Sequence, residues 1–351
     1  MKLLLLLSTL AFASASPGCI DDDGKEVDWY IAMKMPAGGE YYYFGPDSSS
    51  FTKSSHDISE GGDAIDQTLA SLYSYKSSDS HAHGMWNDQP TKEKAAGSIY
   101  AHSKGVFHFD DEQGFYLIHS IPAYPRNKDD GYDQLESTST TYGQSFMCLT
   151  MKTSEFDKLG KDLQTMHVYP YDFDFSDDME STVPNMIGAM DKVEDKDNQA
   201  VETHLTTKSG ESFKHFAKGR YWGKALYEDL VSKNLDSDLA CDTWQNGAYD
   251  NQVPTYCPPE HNHTISNIVS VDFGEGDEWK STQDHSKWAI TTKGFDDDSS
   301  KNPSSCIGGI NRQFSQEKRG GATMCLENEI LNGALYDVIQ EYEDCEGRKK
   351  N

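Results

Sequence analysis

His102-Ser103-Lys104 and His285-Ser286-Lys287 carry the same tripeptide about half a chain apart. Read as extended chain, each copy puts its imidazole and its ammonium group on one face, because side chains alternate across a strand. One such pair is ordinary surface chemistry. Two pairs imply two similar halves that each lend one pair to a shared site. Two imidazoles and two ammonium groups in one place suit the handling of a phosphate.

Working outward, the first copy runs into Gly105-Val106-Phe107-His108-Phe109, and Gly114-Phe115-Tyr116-Leu117-Ile118-His119 returns after a polar turn. These segments predict a β-hairpin that brings His119 back near the first pair. Residues 27–33, 41–44 and 146–150 are rich in strand formers. Pro36 to Gly39 is turn chemistry. Ile65, Leu69 and Leu72 recur at helical spacing and predict a helix over 63–74. Phe156, Leu159 and Leu163 predict another over 154–164. Residues 86–90 and 122–133 read as loops. Between about 170 and 200, acidic residues gather around Pro184, which predicts a solvated linker. The boundary of the halves is placed there, giving 17–185 and 186–351. In the second half, 201–206 and 212–217 predict a hairpin and 224–233 a helix. Residues 268–273 and 288–291 predict strands. Ile330, Ala334, Val338 and Tyr342 step by four, which predicts a helix over 328–342.

The chain of 351 residues is long enough for two domains at roughly 100–200 residues each. Lys2, the apolar run from Leu3 and Ala13-Ser14-Ala15 form a secretory signal over 1–16. The run is shorter than the ~20 apolar residues of a spanning helix, so no membrane association is expected. Seven cysteines in a secreted chain should mostly pair, leaving one over. No CxxC pair is present, so no metal site is expected. Asn262-His263-Thr264 is a glycosylation sequon. The net charge of −27 repels nucleic acid at neutral pH. It tolerates an anionic substrate best in an acidic compartment, where histidines gain charge and carboxylates begin to lose it.

A phosphodiester can be cut without metal or other cofactor by two histidines and two lysines. One histidine takes the phosphoryl group, the other protonates the leaving oxygen, and the lysines offset charge that grows in the transition state. The flanking residues narrow this reading. Val27-Asp28-Trp29-Tyr30 with Lys34-Met35-Pro36 comes first, then Asn87-Asp88-Gln89-Pro90 and His102-Ser103-Lys104-Gly105-Val106. Gly114 to Pro122 reads GFYLIHSIP, and Tyr142-Gly143-Gln144 follows. Phe216-Ala217-Lys218, Asp284-His285-Ser286-Lys287-Trp288 and Arg319-Gly320-Gly321 with Cys325 complete the set. In this order they resemble the deoxyribonuclease II family, including its plancitoxin-like members, over about residues 19–345.

That resemblance implies a mixed α/β, phospholipase D-like fold: a pseudo-dimer of two sheet-and-helix halves with one HxK motif each. It implies an acid, metal-independent endonuclease that cuts double-stranded DNA and leaves 3′-phosphates. Carried over, His102 would attack phosphorus and His285 would protonate the 5′ oxygen and then activate water, although the two roles could be exchanged. Lys104 and Lys287 would hold the phosphate. The longer phospholipase D motif has an Asp five residues after the Lys. Phe109 and Thr292 stand there instead, with Asp110 and Asp284 as substitutes to be tested. Gln144 and Asn311 are candidate orienters; His119, Asn87 and Asp88 are candidate cleft residues. Arg312, Lys318 and Arg319 form a basic cluster that would meet DNA phosphates, with a solubilising loop as the alternative. Trp288 reads as core. The family pattern pairs Cys19 with Cys148, Cys257 with Cys345 and Cys306 with Cys325, leaving Cys241. A homodimer clamping duplex DNA, in the lysosome or secreted, is the family-level expectation. The competing readings are a secreted nuclease-like toxin, a non-catalytic DNA-binding homologue and a phospholipase.

Overall fold

A computed structural model describes residues 16–350 apart from 77, 79, 136–138, 245, 247–248 and 293–301. The secretory signal expected over 1–16 lies, but for Ser16, outside the described residues. Two sheets organise the rest. The first has eight strands among the described residues, in the order Pro170–Phe175, Ala82–Asn87, Lys104–Phe109, Gln113–His119, Gln144–Lys152, Trp29–Lys34, Glu40–Phe44 and Thr52–Asp57. The second runs Ala200–Thr206, Ser212–Lys218, Gly321–Glu327, Ser304–Gly308, Trp288–Thr292, Asp238–Asp242, Ile265–Asp272, Ile339–Asp344 and Gly347–Lys350, with Glu278–Lys280 on Ile265–Asp272.

The two sheets repeat one pattern. In the first, the strand after His102 meets Gln113–His119, then Gln144–Lys152, then Trp29–Lys34. In the second, the strand after His285 meets Ser304–Gly308, then Gly321–Glu327, then Ser212–Lys218. The protein is thus a mixed α/β chain of two sheet-and-helix halves, each carrying one HxK.

Alternation sorts the strands' side chains into layers. Trp29, Ile31 and Met33 face a central core, whereas Tyr30 and Ala32 face the opposite side of the sheet. The central core also takes Phe156, Leu159 and Leu163 from the Thr153–Met166 helix, and Trp288, Ile290 and Met324 from the second sheet. Each such side chain, fully buried, contributes about 1.5–3 kcal/mol. The outer face of the first sheet is covered by the Ala64–Ser74 helix, whose Ile65, Leu69 and Leu72 point inward. Asp63 caps that helix by accepting from Ile65 N and Asp66 N. On the second sheet a wide helical turn, Tyr227–Val231, leads into the short Ser232–Leu235 helix. Disulfides join Cys19 to Cys148, Cys257 to Cys345 and Cys306 to Cys325; Cys241 is free and buried. Asn262 is exposed in a bend.

Three local expectations change. The stretch from 170 to 200 is no linker: Pro170–Phe175 is an edge strand on Ala82–Asn87, and Pro184–Met190 is a helix. That helix lies against Thr153–Met166, where a Cβ on Gly160 would come within 2.3 Å of Met186 N. A boundary at 185/186 would therefore cut through it. The helix expected over 328–342 stops at Asp337, and Ile339–Asp344 becomes a strand on Ile265–Asp272. The tripeptides, finally, stand before their strands. Regular pairing begins at Lys104 in one half and at Trp288 in the other.

Candidate active site

Both tripeptides open into one cleft of about 540 Å³. His102, Lys104, His285 and Lys287 line it, with Asp88, Trp244, Asn311 and Arg319. Each half thus supplies a histidine at the end of a loop and a lysine at or just before the first residue of a strand. The sheets hold these positions because the following segments are fully paired.

His102 is fixed at two atoms. Its backbone N–H donates to Gly320 O at 2.9 Å, and its ring Nδ1 bonds the Gly309 carbonyl. A carbonyl only accepts, so Nδ1 carries the proton and Nε2 keeps its lone pair in the neutral ring. Burial, with a smaller push from the neighbouring cations Lys104, Lys287 and Arg319, keeps the imidazole well below its ordinary pKa. The ring is therefore neutral, with its lone pair on Nε2.

Lys104 is held by a carboxylate. Its ammonium donates to Asp88 Oδ1 while Arg319 Nη2 donates to Asp88 Oδ2 at 3.0 Å. Burial opposes ionisation of Asp88, but the charges of Lys104 and Arg319 outweigh it and hold the carboxyl well below the usual range. Arg319 also donates to Tyr100 O at 3.0 Å, so the guanidinium ties the two halves together. Ser103, between His102 and Lys104, accepts from Trp86 Nε1 at 3.1 Å. The same indole fills the space over Gly105, where a Cβ would lie 2.3 Å from Trp86 Cζ2.

His285 is held differently. Its backbone N–H donates to Gly143 O at 2.8 Å. Its ring stacks on Tyr142, centroids 4.6 Å apart, and meets Trp244 edge-on at 3.9 Å. Burial, then the charges of Lys287 and Lys104, lower its pKa to about 3. An anion bound in the cleft would offset the lysines' charges and favour the imidazolium. Lys287 donates to the His285 carbonyl. Burial and then repulsion from Lys104 lower its pKa to about 7.

The supporting candidates separate on inspection. Asn311 lines the cleft, and its Oδ1 has no partner among the described residues. Asn87 donates to Ile121 O and Tyr124 O, both at 3.1 Å, and braces a loop. Gln144 accepts from Ser120 Oγ at 2.6 Å inside the sheet. His119 is buried against Phe146 and Tyr124 rather than in the cleft. Asp110 accepts from Glu112 N and Gln113 N and so shapes a turn. Asp284 accepts from Trp279 Nε1 at 2.7 Å and Ser286 N at 2.8 Å, which fixes the second tripeptide's loop. Arg312 is buried on Glu228, Asn267 and Pro254 O and is no part of an exposed basic patch. Trp288 is fully buried. Trp244 carries no signal in the local sequence, since its role depends on Tyr142 and His285 arriving from elsewhere.

Comparison with known proteins places the chain in a family. Residues 18–345 match the family model described as Deoxyribonuclease II. Plancitoxin-1 of Acanthaster planci is 32% identical over 98% of this chain and 97% of its own. Cell-death-related nuclease 7 of Caenorhabditis elegans is 29% identical over 93% of this chain and 88% of its own. Deoxyribonuclease-2-alpha of Sus scrofa is 28% identical over 98% of this chain and 94% of its own. A yeast tyrosyl-DNA phosphodiesterase variant aligns over 66% of this chain and 70% of its own at 10% identity, with a TM-score of 0.30, a likeness too slight to argue from. By the match along nearly its whole length, the chain belongs to the deoxyribonuclease II family.

Proposed function

We propose that this nuclease is an acid, metal-independent endonuclease that hydrolyses double-stranded DNA to 3′-phosphate ends through a phosphohistidine. The observation that carries the reading is the meeting of both His–Lys pairs in one cleft, with the His102 Nδ1 proton held on a carbonyl. His102 Nε2 attacks phosphorus as the P–O5′ bond breaks, and His285 gives its proton to the departing 5′ oxygen. The Gly309 carbonyl stabilises the positive ring formed on His102. His285, now neutral, takes a proton from water, whose oxygen attacks phosphorus as the N–P bond breaks. Lys104, Lys287 and Asn311 contact the non-bridging oxygens. The cations supply the charge stabilisation that a metal gives in other nucleases.

Acid preference follows from the same groups. Lys287 loses its charge as pH rises through about 7, and His285 must be protonated for the first step. A chain of net charge −27 also repels DNA less as its carboxylates protonate. The N-terminal leader, the sequon at Asn262 and the disulfides favour a lysosomal or secreted protein. A toxin of the plancitoxin type would run the same chemistry at a different destination. Secreted protein should nick and linearise plasmid at pH 5 in chelator and leave 3′-phosphate ends that block extension by a polymerase until a phosphatase removes them. A strict requirement for magnesium, or 5′-phosphate ends, contradicts this reading.

A further inference from the structure

Away from the cleft, the two halves repeat a feature that the reaction does not use directly. Lys34 ends the Trp29–Lys34 strand and pairs with Gln144, the first residue of Gln144–Lys152. Lys218 ends the Ser212–Lys218 strand and pairs with Gly321, the first residue of Gly321–Glu327. The two lysines therefore stand at the same station in the two sheets. Both are buried, at 1% and 0% exposure. Each turns its ammonium onto three backbone carbonyls. Lys34 Nζ donates to Met35 O at 2.7 Å, Gly38 O at 2.7 Å and Thr140 O at 3.2 Å. Lys218 Nζ donates to Gln316 O at 3.0 Å, Glu317 O at 2.9 Å and Arg319 O at 2.7 Å.

The loops so held lead directly to the histidines, and they cross between the halves. Thr140 precedes Tyr142 and Gly143 in the first half. Tyr142 stacks on His285, and Gly143 O receives the His285 N–H. Arg319 and Gly320 belong to the second half. Arg319 grips Asp88, and Gly320 O receives the His102 N–H. Neither glycine has room for a side chain. A Cβ on Gly143 would lie 2.6 Å from Asp284 Oδ1, and one on Gly320 2.0 Å from Met166 O. A shift of either loop therefore moves a histidine. Burying an ammonium is unfavourable unless its hydrogen bonds are satisfied, and burial lowers both lysines to about 8. Three carbonyl acceptors around each one supply that satisfaction, and a neutral side chain would leave the carbonyls unpaired.

We propose that Lys34 and Lys218 are paired positioning residues: Lys34 sets the loop that seats His285, and Lys218 the loop that seats His102. The pairing rests on the geometry; which chemical step each variant damages rests on the roles given to His102 and His285 above. Lys34→Met and Lys218→Met are compared with the parent on plasmid DNA and on thymidine 3′-(p-nitrophenyl phosphate). The nitrophenolate group leaves without a proton, so its first-turnover release needs the nucleophile and not the acid. Lys34→Met should lose about 10²-fold on DNA yet stay within about threefold of the parent in nitrophenolate release. Lys218→Met should lose about 10²-fold on both. The reverse split would keep the pairing and exchange the histidines' roles, so that only the reading above fails. Equal losses on both substrates by both variants, or no loss by either, would overturn the pairing. If a Met variant does not fold, Lys34→Gln and Lys218→Gln keep a donor in the buried site but shorten its reach to the three carbonyls, and the same split is expected and decides in the same way.

Discussion

His102 stands two residues before its strand and His285 three before its own, each with its backbone N–H on a glycine of the opposite half. Their surroundings differ beyond that point. The His102 ring bonds a carbonyl, whereas the His285 ring packs against both Tyr142 and Trp244. Lys104 belongs to a three-charge cluster with Asp88 and Arg319, whereas Lys287 bonds a backbone carbonyl of its own tripeptide. The position opposite each strand start is also filled in opposite ways. Trp86 covers Gly105 from the neighbouring strand in one half, and Trp288 stands in the strand itself facing Asp242 in the other. A duplicated backbone thus carries two differently tuned sites. One histidine is held in a single tautomer, with its lone pair on Nε2. The other is held by ring contacts that leave its charge to be set by what occupies the cleft.

The largest expected effect separates the two histidines. His102→Ala and His285→Ala should each lose about 10²–10⁴-fold in DNA cleavage. On the nitrophenyl ester, His285→Ala should release one equivalent of nitrophenolate and then stall as the phosphoenzyme, because nothing activates water. His102→Ala should form no phosphoenzyme. Acid quenching with labelled ester reads the difference, and a trapped adduct in His102→Ala would reverse the assignment.

A smaller effect separates the two lysines. With Lys287 at about 7 in the empty cleft, raising pH through neutrality removes its charge from the free enzyme. On the nitrophenyl ester, which needs no proton from His285, kcat/KM should therefore fall about tenfold per pH unit above that value. Bound phosphate favours the ammonium, so the limb in kcat should lie higher. Lys287→Arg keeps its charge throughout, and its limb in kcat/KM should move up by a unit or more at about tenfold lower activity, because the guanidinium is bulkier. An unmoved limb would assign the pH dependence to another group.

The sequence makes some of this comparison visible and hides the rest for physical reasons. The tripeptides and their flanks are local, so motif and strand propensity both register them. The helices at 64–74 and 153–166 show because one apolar stripe faces one layer. The edge strand 170–175 is hidden by its charges: Asp172 and Asp174 look like solvated linker, but they bond His83 on the neighbouring strand and His81 just before it. Charged edges are common because they discourage further pairing. The last helix turns Ile330 outward, against the four-residue step that starts there. Its buried stripe is Leu331, Ala334 and Leu335, whereas Ile330 is 56% exposed. Ile339 then begins extended chain between Ile265–Asp272 and Gly347–Lys350. Asp88 and Arg319 meet across 231 positions, a distance at which no local pattern operates. Arg312 shows the converse, since a basic residue in a basic run proves to be the buried partner of Glu228.

The smallest effect concerns the histidine that hairpin pairing brings close to the first tripeptide without bringing it into the cleft. His119 packs edge-on to Tyr124 and stacks on Phe146, and neither of its ring nitrogens has a partner among the described residues. Burial lowers its pKa to about 3, with a further push from the Lys104 charge, so it stays neutral through the working range. Desolvating two unpaired ring nitrogens is unfavourable by about 1–3 kcal/mol in general. His119→Phe keeps an aromatic ring against Phe146 and removes both nitrogens. It should leave kcat/KM on DNA within about twofold and raise stability by about 1 kcal/mol, read from denaturant unfolding. A loss above about tenfold with normal folding would place His119 in the reaction after all. The hairpin would then deliver a third imidazole to the first half, where the second half has Gly308 at the end of the equivalent strand, and the asymmetry between the two sites would begin there.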